Sequence, residues 1–66
     1  MTPVDPLIRD RDAAAMIGAS VSTFWRRVAD GTIAPPIKIG GMSRWRRSEI
    51  EAVIARAAAQ RDGVAA

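Results

Sequence analysis

The chain has 66 residues, a length that suits one small domain. It contains neither cysteine nor histidine, which excludes disulfides, thiol nucleophiles and the common zinc ligand sets. Ten basic residues against seven acidic ones give a formal charge of +3, an excess too small to identify a polyanionic partner by itself. All of the basic residues except Lys38 are arginine, and arginine suits planar contacts with phosphates and bases.

The first predicted elements are an N-terminal arm and a short helix. Residues 1–6 include two prolines and are expected to form a flexible arm, and the apolar pair Leu7-Ile8 is suited to a short strand. Asp10 is a suitable N-cap for a helix from Arg11 to Ile17, which Gly18 ends. The apolar stripe of this helix consists of Ala13, Ala14, Met16 and Ile17.

The second predicted helix, Val21–Asp30, has two chemically opposite halves at about 100° per residue. Its apolar arc consists of Val21, Phe24, Trp25, Val28 and Ala29, and its polar arc consists of Ser22, Thr23, Arg26, Arg27 and Asp30. Ser20 is a favourable N-cap, and Gly31 accepts a left-handed C-terminal turn. Only Ala19 separates Gly18 from Ser20, so the two helices are predicted to form a helix-turn-helix.

A small β-hairpin is predicted after Pro35-Pro36. Ile37–Ile39 and Ser43–Arg46 alternate with period two around the turn residues Gly40-Gly41. The alternation turns Arg44 and Arg46 to one face of the hairpin and Trp45 to the other, and it sets Lys38 opposite to Ile37 and Ile39. Such a hairpin beside a helix-turn-helix is called a wing.

A third helix is predicted from Arg47 to about Gln60, fraying toward Gly63. Its apolar stripe of Ile50, Val53, Ile54 and Ala57 recurs with helical spacing. Arg47 is four residues before Glu51 and is able to pair with it. The whole prediction is a mainly α domain over residues 7–60, with three helices and a hairpin, followed by a flexible tail at residues 61–66.

Several side chains admit a purely structural interpretation. Trp25 and Trp45 are interpreted as core anchors rather than base-stacking platforms, because each lies on the apolar side of its element. Ser22 and Thr23 are suited to satisfying the free N–H groups of a first helical turn. Their combination with Arg26, Arg27 and a basic hairpin favours contact with DNA.

The composition also argues against other classes of protein. The acidic residues are spread over helix starts and caps, with no nucleophile and base pair, so we expect no enzyme, cofactor, metal or small-molecule ligand. No apolar segment approaches the roughly 20 residues that span a bilayer, and the N-terminus has no signal-peptide pattern. We therefore expect an intracellular, cytoplasmic protein without a membrane partner.

Four segments together resemble the small AlpA-like regulators and phage excisionases of the MerR-like winged helix-turn-helix superfamily. They cover most of residues 7–55 and are Leu7-Ile8-Arg9, Gly18-Ala19-Ser20-Val21-Ser22-Thr23-Phe24-Trp25-Arg26, Pro36-Ile37-Lys38-Ile39-Gly40-Gly41 and Arg44-Trp45-Arg46-Arg47-Ser48-Glu49-Ile50. The match departs from the family at the hairpin tip, Gly41-Met42-Ser43, which is less basic than in many relatives. Trp25 also stands where tyrosine is common.

The resemblance implies that the second helix enters the major groove of duplex DNA and that the hairpin contacts the adjoining backbone or minor groove. Ser22, Thr23 and Arg26 would read bases. The remaining expected DNA contacts are Ser20, Arg27, Lys38, Ser43, Arg44 and Arg46.

Two roles remain open within this family: a recombination directionality factor that bends an attachment site toward integrase-mediated excision, and a transcription regulator at a promoter. An antitoxin or plasmid-copy regulator would share the same DNA chemistry. A protein-interaction module that docks an integrase is the alternative from another class. Since one small module covers little DNA, several copies are expected to bind in tandem.

Overall fold

The computed structural model describes residues 5–64 of the chain. They form three helices and a three-stranded antiparallel sheet, in the order β1 (Leu7–Ile8), α1 (Asp10–Met16), α2 (Val21–Ala29), β2 (Ile37–Ile39), β3 (Met42–Arg46) and α3 (Arg47–Val64). Strand β3 lies between β1 and β2 in the sheet. The predicted mostly helical domain with a small hairpin is confirmed, and β1 adds a third strand to that hairpin.

Helix α2 begins and ends at its predicted signals. The Ser20 hydroxyl accepts a hydrogen bond from the backbone N–H of Thr23 at 3.2 Å, as an N-cap does. At the other end, Asp30 is the C-cap and Gly31 has a φ of +89°, which favours glycine. A single turn at Gly18-Ala19 separates α2 from α1.

Helix α1 begins and ends one residue earlier than predicted, with Ile17 as its C-cap, and the expected N-cap role of Asp10 is wrong. Arg9 occupies the N-cap position without a side-chain hydrogen bond, and Asp10 is the first helical residue. The Asp10 carboxylate instead accepts a hydrogen bond from the indole Nε1 of Trp25 at 2.9 Å. This bond links the start of α1 to α2 and satisfies the only polar atom of a half-buried tryptophan side chain.

The sheet has two chemically different faces, fixed by its register. Gly40 and Gly41 form the predicted two-residue turn with φ values of +52° and +88°, and directly beyond it Ile39 pairs with Met42. Residues directly opposite each other share a face. The inner face therefore carries Ile8, Trp45, Lys38 and Ser43, and the outer face carries Leu7, Ile37, Ile39, Met42, Arg44 and Arg46.

Trp45 is the centre of the hydrophobic core, and its predicted role as a core anchor is confirmed. Its ring is fully buried. The ring centroid of Trp45 lies 4.8 Å from that of Phe24 and 5.2 Å from that of Trp25, and both pairs are edge-to-face. Its indole Nε1 donates to the backbone carbonyl of Ala34 at 2.8 Å. The other buried core residues are Ala13, Ala14, Phe24, Ile33 and Ile50.

The start of α3 is capped by residues distant in sequence. The backbone N–H of Arg47 donates to the Pro6 carbonyl at 3.0 Å, and Asp5 accepts hydrogen bonds from both the backbone N–H and the hydroxyl of Ser48. Glu49 accepts from the backbone N–H of Arg46 at 3.0 Å. Asp5 and Pro6 therefore belong to the folded domain, and residues 1–4 of the predicted arm lie outside the described residues.

Helix α3 is longer than predicted. It continues to Val64, so the predicted end near Gln60 is wrong, and four residues of the predicted tail are helical. Residues 65–66 lie outside the described residues. The predicted stripe is buried only in its first part, because Ile54 is 41% exposed and Ala57 is exposed. No helix within residues 5–64 is long and apolar enough to cross a membrane.

The Asp5 cap predicts a loss of stability in acid. The hydrogen bond from the Ser48 hydroxyl holds the pKa of Asp5 below its usual 3.8; desolvation opposes this, and the Ser48 N–H and the Arg46 charge add to it. Because the folded-state pKa is lowered, the stabilisation is complete above about pH 4 and is lost as the pH falls through that lowered value.

Thermal melts of the wild type and of Asp5→Asn between about pH 2 and about pH 6 measure this effect. The variant has no carboxylate to titrate at this position, so it is expected to lose less stability over the interval. An equal loss in both proteins would show that the Asp5 cap does not contribute.

Candidate nucleic-acid interface

The outward face of α2 carries an arginine between small side chains. Ser22, Arg26 and Ala29 follow each other at helical spacing and are all exposed, whereas Phe24 on the opposite side is fully buried. The predicted place of Ala29 in the apolar arc is therefore wrong, because that edge of the arc is not covered by the core. None of the ion pairs within residues 5–64 involves Arg26. The Arg26 guanidinium is therefore presented to solvent from a helix whose other side is anchored in the core.

Three hydroxyls meet at the N-terminus of α2. The Ser20 hydroxyl donates to the Thr23 hydroxyl at 2.9 Å, and the Ser20 and Ser22 hydroxyl oxygens lie 3.3 Å apart. Ser22 is exposed, whereas Thr23 is half-buried and already bonded through its hydroxyl and its N–H. Ser20 is also exposed but is committed to the N-cap bond with Thr23, so Ser22 is the exposed hydroxyl that does not bond a backbone group.

Arg27 lies apart from the other predicted contacts of α2. Its guanidinium bonds the Asp30 carboxylate at 2.8 Å, and the same carboxylate accepts from the hydroxyl and the N–H of Thr32. The Thr32 hydroxyl is the main reason why the pKa of Asp30 is lowered from its usual value. This network holds Arg27 at the side of α2 that faces α3, away from the Arg26 side.

The predicted contacts of the hairpin lie on both of its faces. Lys38 and Ser43 share the inner face, where the Lys38 ammonium donates to the Ser43 hydroxyl at 2.8 Å. Arg44 and Arg46 share the outer face, as predicted from the alternation with Trp45. Arg44 donates to the Ser43 carbonyl at 2.8 Å and contacts the Met42 sulfur at 3.5 Å. The hairpin therefore presents cationic groups on either side.

Most of the basic side chains that the structure describes have no direct carboxylate partner, although the formal net charge of the chain is only +3. Within residues 5–64, three ion pairs use the cations Arg27, Arg47 and Arg61, including the predicted pair of Arg47 with Glu51. Other carboxylates are bonded to uncharged donors, as Asp5 and Asp10 are. The described cations without a carboxylate partner are Arg9, Arg11, Arg26, Lys38, Arg44, Arg46 and Arg56.

The sequence pattern does not identify Arg9 and Arg11 as candidate contacts. They flank Asp10 at the start of α1, and an adjacent carboxylate in the sequence suggests local charge pairing. The carboxylate of Asp10 is bonded to the Trp25 indole, and both arginines are exposed. The signal in the sequence is Trp25 itself: its indole N–H needs an acceptor when half-buried, and Asp10 is a carboxylate near enough in the chain to supply one.

A concavity lies between the ends of α1 and α2 and the middle of α3, on the Arg27 side of α2. It is an open groove of about 570 Å³, and its lining is mainly aliphatic, with Arg27, Thr32 and Arg61 as its polar residues. Within the part of the chain that the structure describes, no group of three or more His, Cys, Asp or Glu residues is placed to hold a metal ion.

Comparisons with known proteins do not identify the chain. No protein-family model matches it, and neither the curated proteins nor the solved structures give a significant match.

Proposed function

We propose that the protein is a winged helix-turn-helix module that binds specific duplex DNA, with α2 in the major groove and the β2–β3 hairpin against the flanking backbone or minor groove. The observation that carries the proposal is the face of α2 formed by Ser22, Arg26 and Ala29. It combines a guanidinium without an ion-pair partner with side chains small enough for close approach.

The dimensions and chemistry of α2 suit a major groove. An α-helix with its side chains is about 10–12 Å across, so a major groove about 12 Å wide admits α2. Arg26 lies in the middle of α2, where a guanidinium can donate two hydrogen bonds to the O6 and N7 of a guanine. Ser22 and the helix N-terminus supply donors for a backbone phosphate.

The hairpin supplies the contacts that position α2. Lys38, Arg44 and Arg46 carry three positive charges, and the residues from Gly31 to Ser48 include no acid. Contacts with phosphates fix register and orientation without reading sequence. In such a module Arg26 supplies sequence specificity, and the hairpin cations supply affinity that does not depend on sequence.

Arg46→Ala is expected to weaken binding to all DNA sequences alike. Removing one phosphate contact lowers the slope of log affinity against log salt by about one, without changing the preference for a selected site. Titrations at several salt concentrations measure the slope on the selected duplex and on a scrambled duplex. A loss confined to the selected duplex would instead make Arg46 a base-reading residue.

Selection from a pool of random duplexes, followed by titration of the selected and scrambled sequences, tests the proposal as a whole. We expect the selected sequence to be bound on the order of 10³-fold more tightly at physiological salt. Weak binding that disappears with salt and shows no sequence preference would favour the protein-interaction module that docks an integrase.

We further propose that the module acts as an excisionase of a phage or mobile element, with several copies in tandem bending an attachment site. One small module buries only about 600–1,000 Å² on DNA, which favours adjacent copies. Footprinting and circular-permutation assays on a long attachment-site fragment should show cooperative filling and a growing bend. One footprint on straight DNA would favour an AlpA-like regulator at a promoter.

A further inference from the structure

The tip of the hairpin carries an exposed aliphatic pair. Ile39 and Met42 are directly opposite each other beside the glycine turn and share the outer face of the sheet. Ile39 is 41% exposed and Met42 is 48% exposed. An antiparallel sheet that turns one face to water normally alternates apolar inward with polar outward. An apolar pair at this outermost position therefore needs a reason other than the core.

We propose that Ile39 and Met42 form a wedge that enters the minor groove of bound DNA and partly unstacks one base step, so that the hairpin kinks the duplex. This inference rests on the proposed DNA-binding function and assigns the bend to two residues. Apolar wedges between base steps are a general means by which proteins kink DNA from the minor groove.

The tip suits a minor groove that widens where a base step is unstacked. The backbones of neighbouring strands are about 4.8 Å apart from centre to centre, so the hairpin needs more than the roughly 6 Å of an undistorted B-DNA minor groove, and DNA deformation can widen a groove. Gly40 and Gly41 have no side chains, and no other atom lies within 4 Å of where a Cβ would stand on either residue. The tip is therefore thin and unobstructed, and the aliphatic pair is the first bulky group behind it.

The charges around the pair favour DNA over a protein partner. Arg44 contacts the Met42 sulfur on the outer face, and Lys38 lies on the inner face between Ile37 and Ile39. A cation on each side of the tip matches the phosphates on both sides of a minor groove. A second copy meeting this face symmetrically would bring Arg44 and Arg46 of both copies into one interface without an acidic residue from the outer face to pair with them.

The test uses the full chain and the duplex obtained by selection. The fluorescent base analogue 2-aminopurine, which brightens when unstacked, replaces adenine in turn at each pyrimidine–purine step flanking the α2 contact, because these steps kink most easily. The double variant Ile39→Thr, Met42→Gln removes the apolar wedge at exposed positions. Leu7→Thr is the matched control, since Leu7 is an equally exposed aliphatic on the same face but distant from the tip.

We expect the wild type and Leu7→Thr to raise the fluorescence at one step and to bend the duplex. The double variant should do neither while retaining its melting temperature. A mismatch at that step removes much of the unstacking cost, so the wild type should gain about tenfold in affinity for the mismatched duplex and the double variant should gain little.

The outcomes separate the wedge from the proposed function. Sequence-specific binding with no unstacked step, or with the same unstacking in the double variant, would overturn the wedge and leave DNA binding intact; the pair would then be available to a protein partner. Failure of the wild type to prefer any duplex would overturn both proposals.

Discussion

Trp45→Ala is expected to unfold the protein. The ring is fully buried between Phe24 and Trp25, so its removal leaves a cavity in the core. It also removes the aromatic contacts that join β3 to α2 within residues 5–64. Truncating a buried tryptophan costs about 3–5 kcal/mol, and a domain this small has a stability of only about 5 kcal/mol. Circular dichroism at 25 °C, together with urea titration, measures the loss.

Trp45→Phe is the matched control for this prediction. It keeps an aromatic ring in the core but removes the hydrogen bond to the Ala34 carbonyl, so it should remain folded with reduced stability. A folded Trp45→Ala protein that has lost only DNA binding would show that Trp45 is a contact residue and not a core anchor.

Arg26→Ala is expected to abolish most of the sequence preference in DNA binding. A bidentate contact between arginine and guanine is worth about 1–3 kcal/mol of discrimination, so affinity for the selected duplex should fall about 5- to 150-fold. Affinity for scrambled DNA should change little, and the fold should be unaffected because Arg26 is exposed. Parallel titrations of both duplexes measure the ratio.

Arg56→Ala is the control for the loss of one positive charge. Arg56 is also exposed and without a carboxylate partner within residues 5–64, but it lies on α3 rather than on α2. It should leave the sequence preference unchanged. Equal losses on selected and scrambled DNA for Arg26→Ala would remove Arg26 from the base-reading residues.

Local signals in the sequence were sufficient for α2 and the hairpin. Ser20 and Gly31 mark the ends of α2 through the conformations of single residues, and two consecutive glycines specify the turn between β2 and β3. The alternation around Trp45 also predicted which face carries Arg44 and Arg46. These features depend on neighbours within a few residues, which is why they can be read from the chain.

Features that depend on distant residues could not be read in this way. Asp5 caps α3 from 43 positions away, and Asp10 bonds Trp25 from 15 positions away. In the sequence, an aspartate just inside a helix cannot be distinguished from one at the N-cap. Asp10 therefore fits the N-cap position by type, although it is the first helical residue. The predicted end of α3 is too early because Gly63 is a common helix stop, whereas here it has no positive φ and α3 continues through it to Val64.

The sequence predicts which residues belong to the candidate site but not how they are paired and exposed. Helical periodicity places Ser22 and Arg26 outward, whereas the pairing of Arg27 with Asp30 depends on the loop that brings Thr32 to the same carboxylate. The exposure of Ile39 and Met42 depends on which side of the sheet the helices cover. Period-two alternation identifies the two faces but does not say which one remains open.

The cap that Asp5 and Pro6 place on α3 has a consequence for the order of folding. The α1–α2 turn and the two-residue hairpin close short loops, whereas β1 and its cap must close a loop of about 40 residues, which costs more chain entropy. The N-terminal segment should therefore dock late and detach first. Its detachment removes a strand beside Trp45 and frees the first N–H groups of α3, so one local opening exposes the edge of the core before the helices separate.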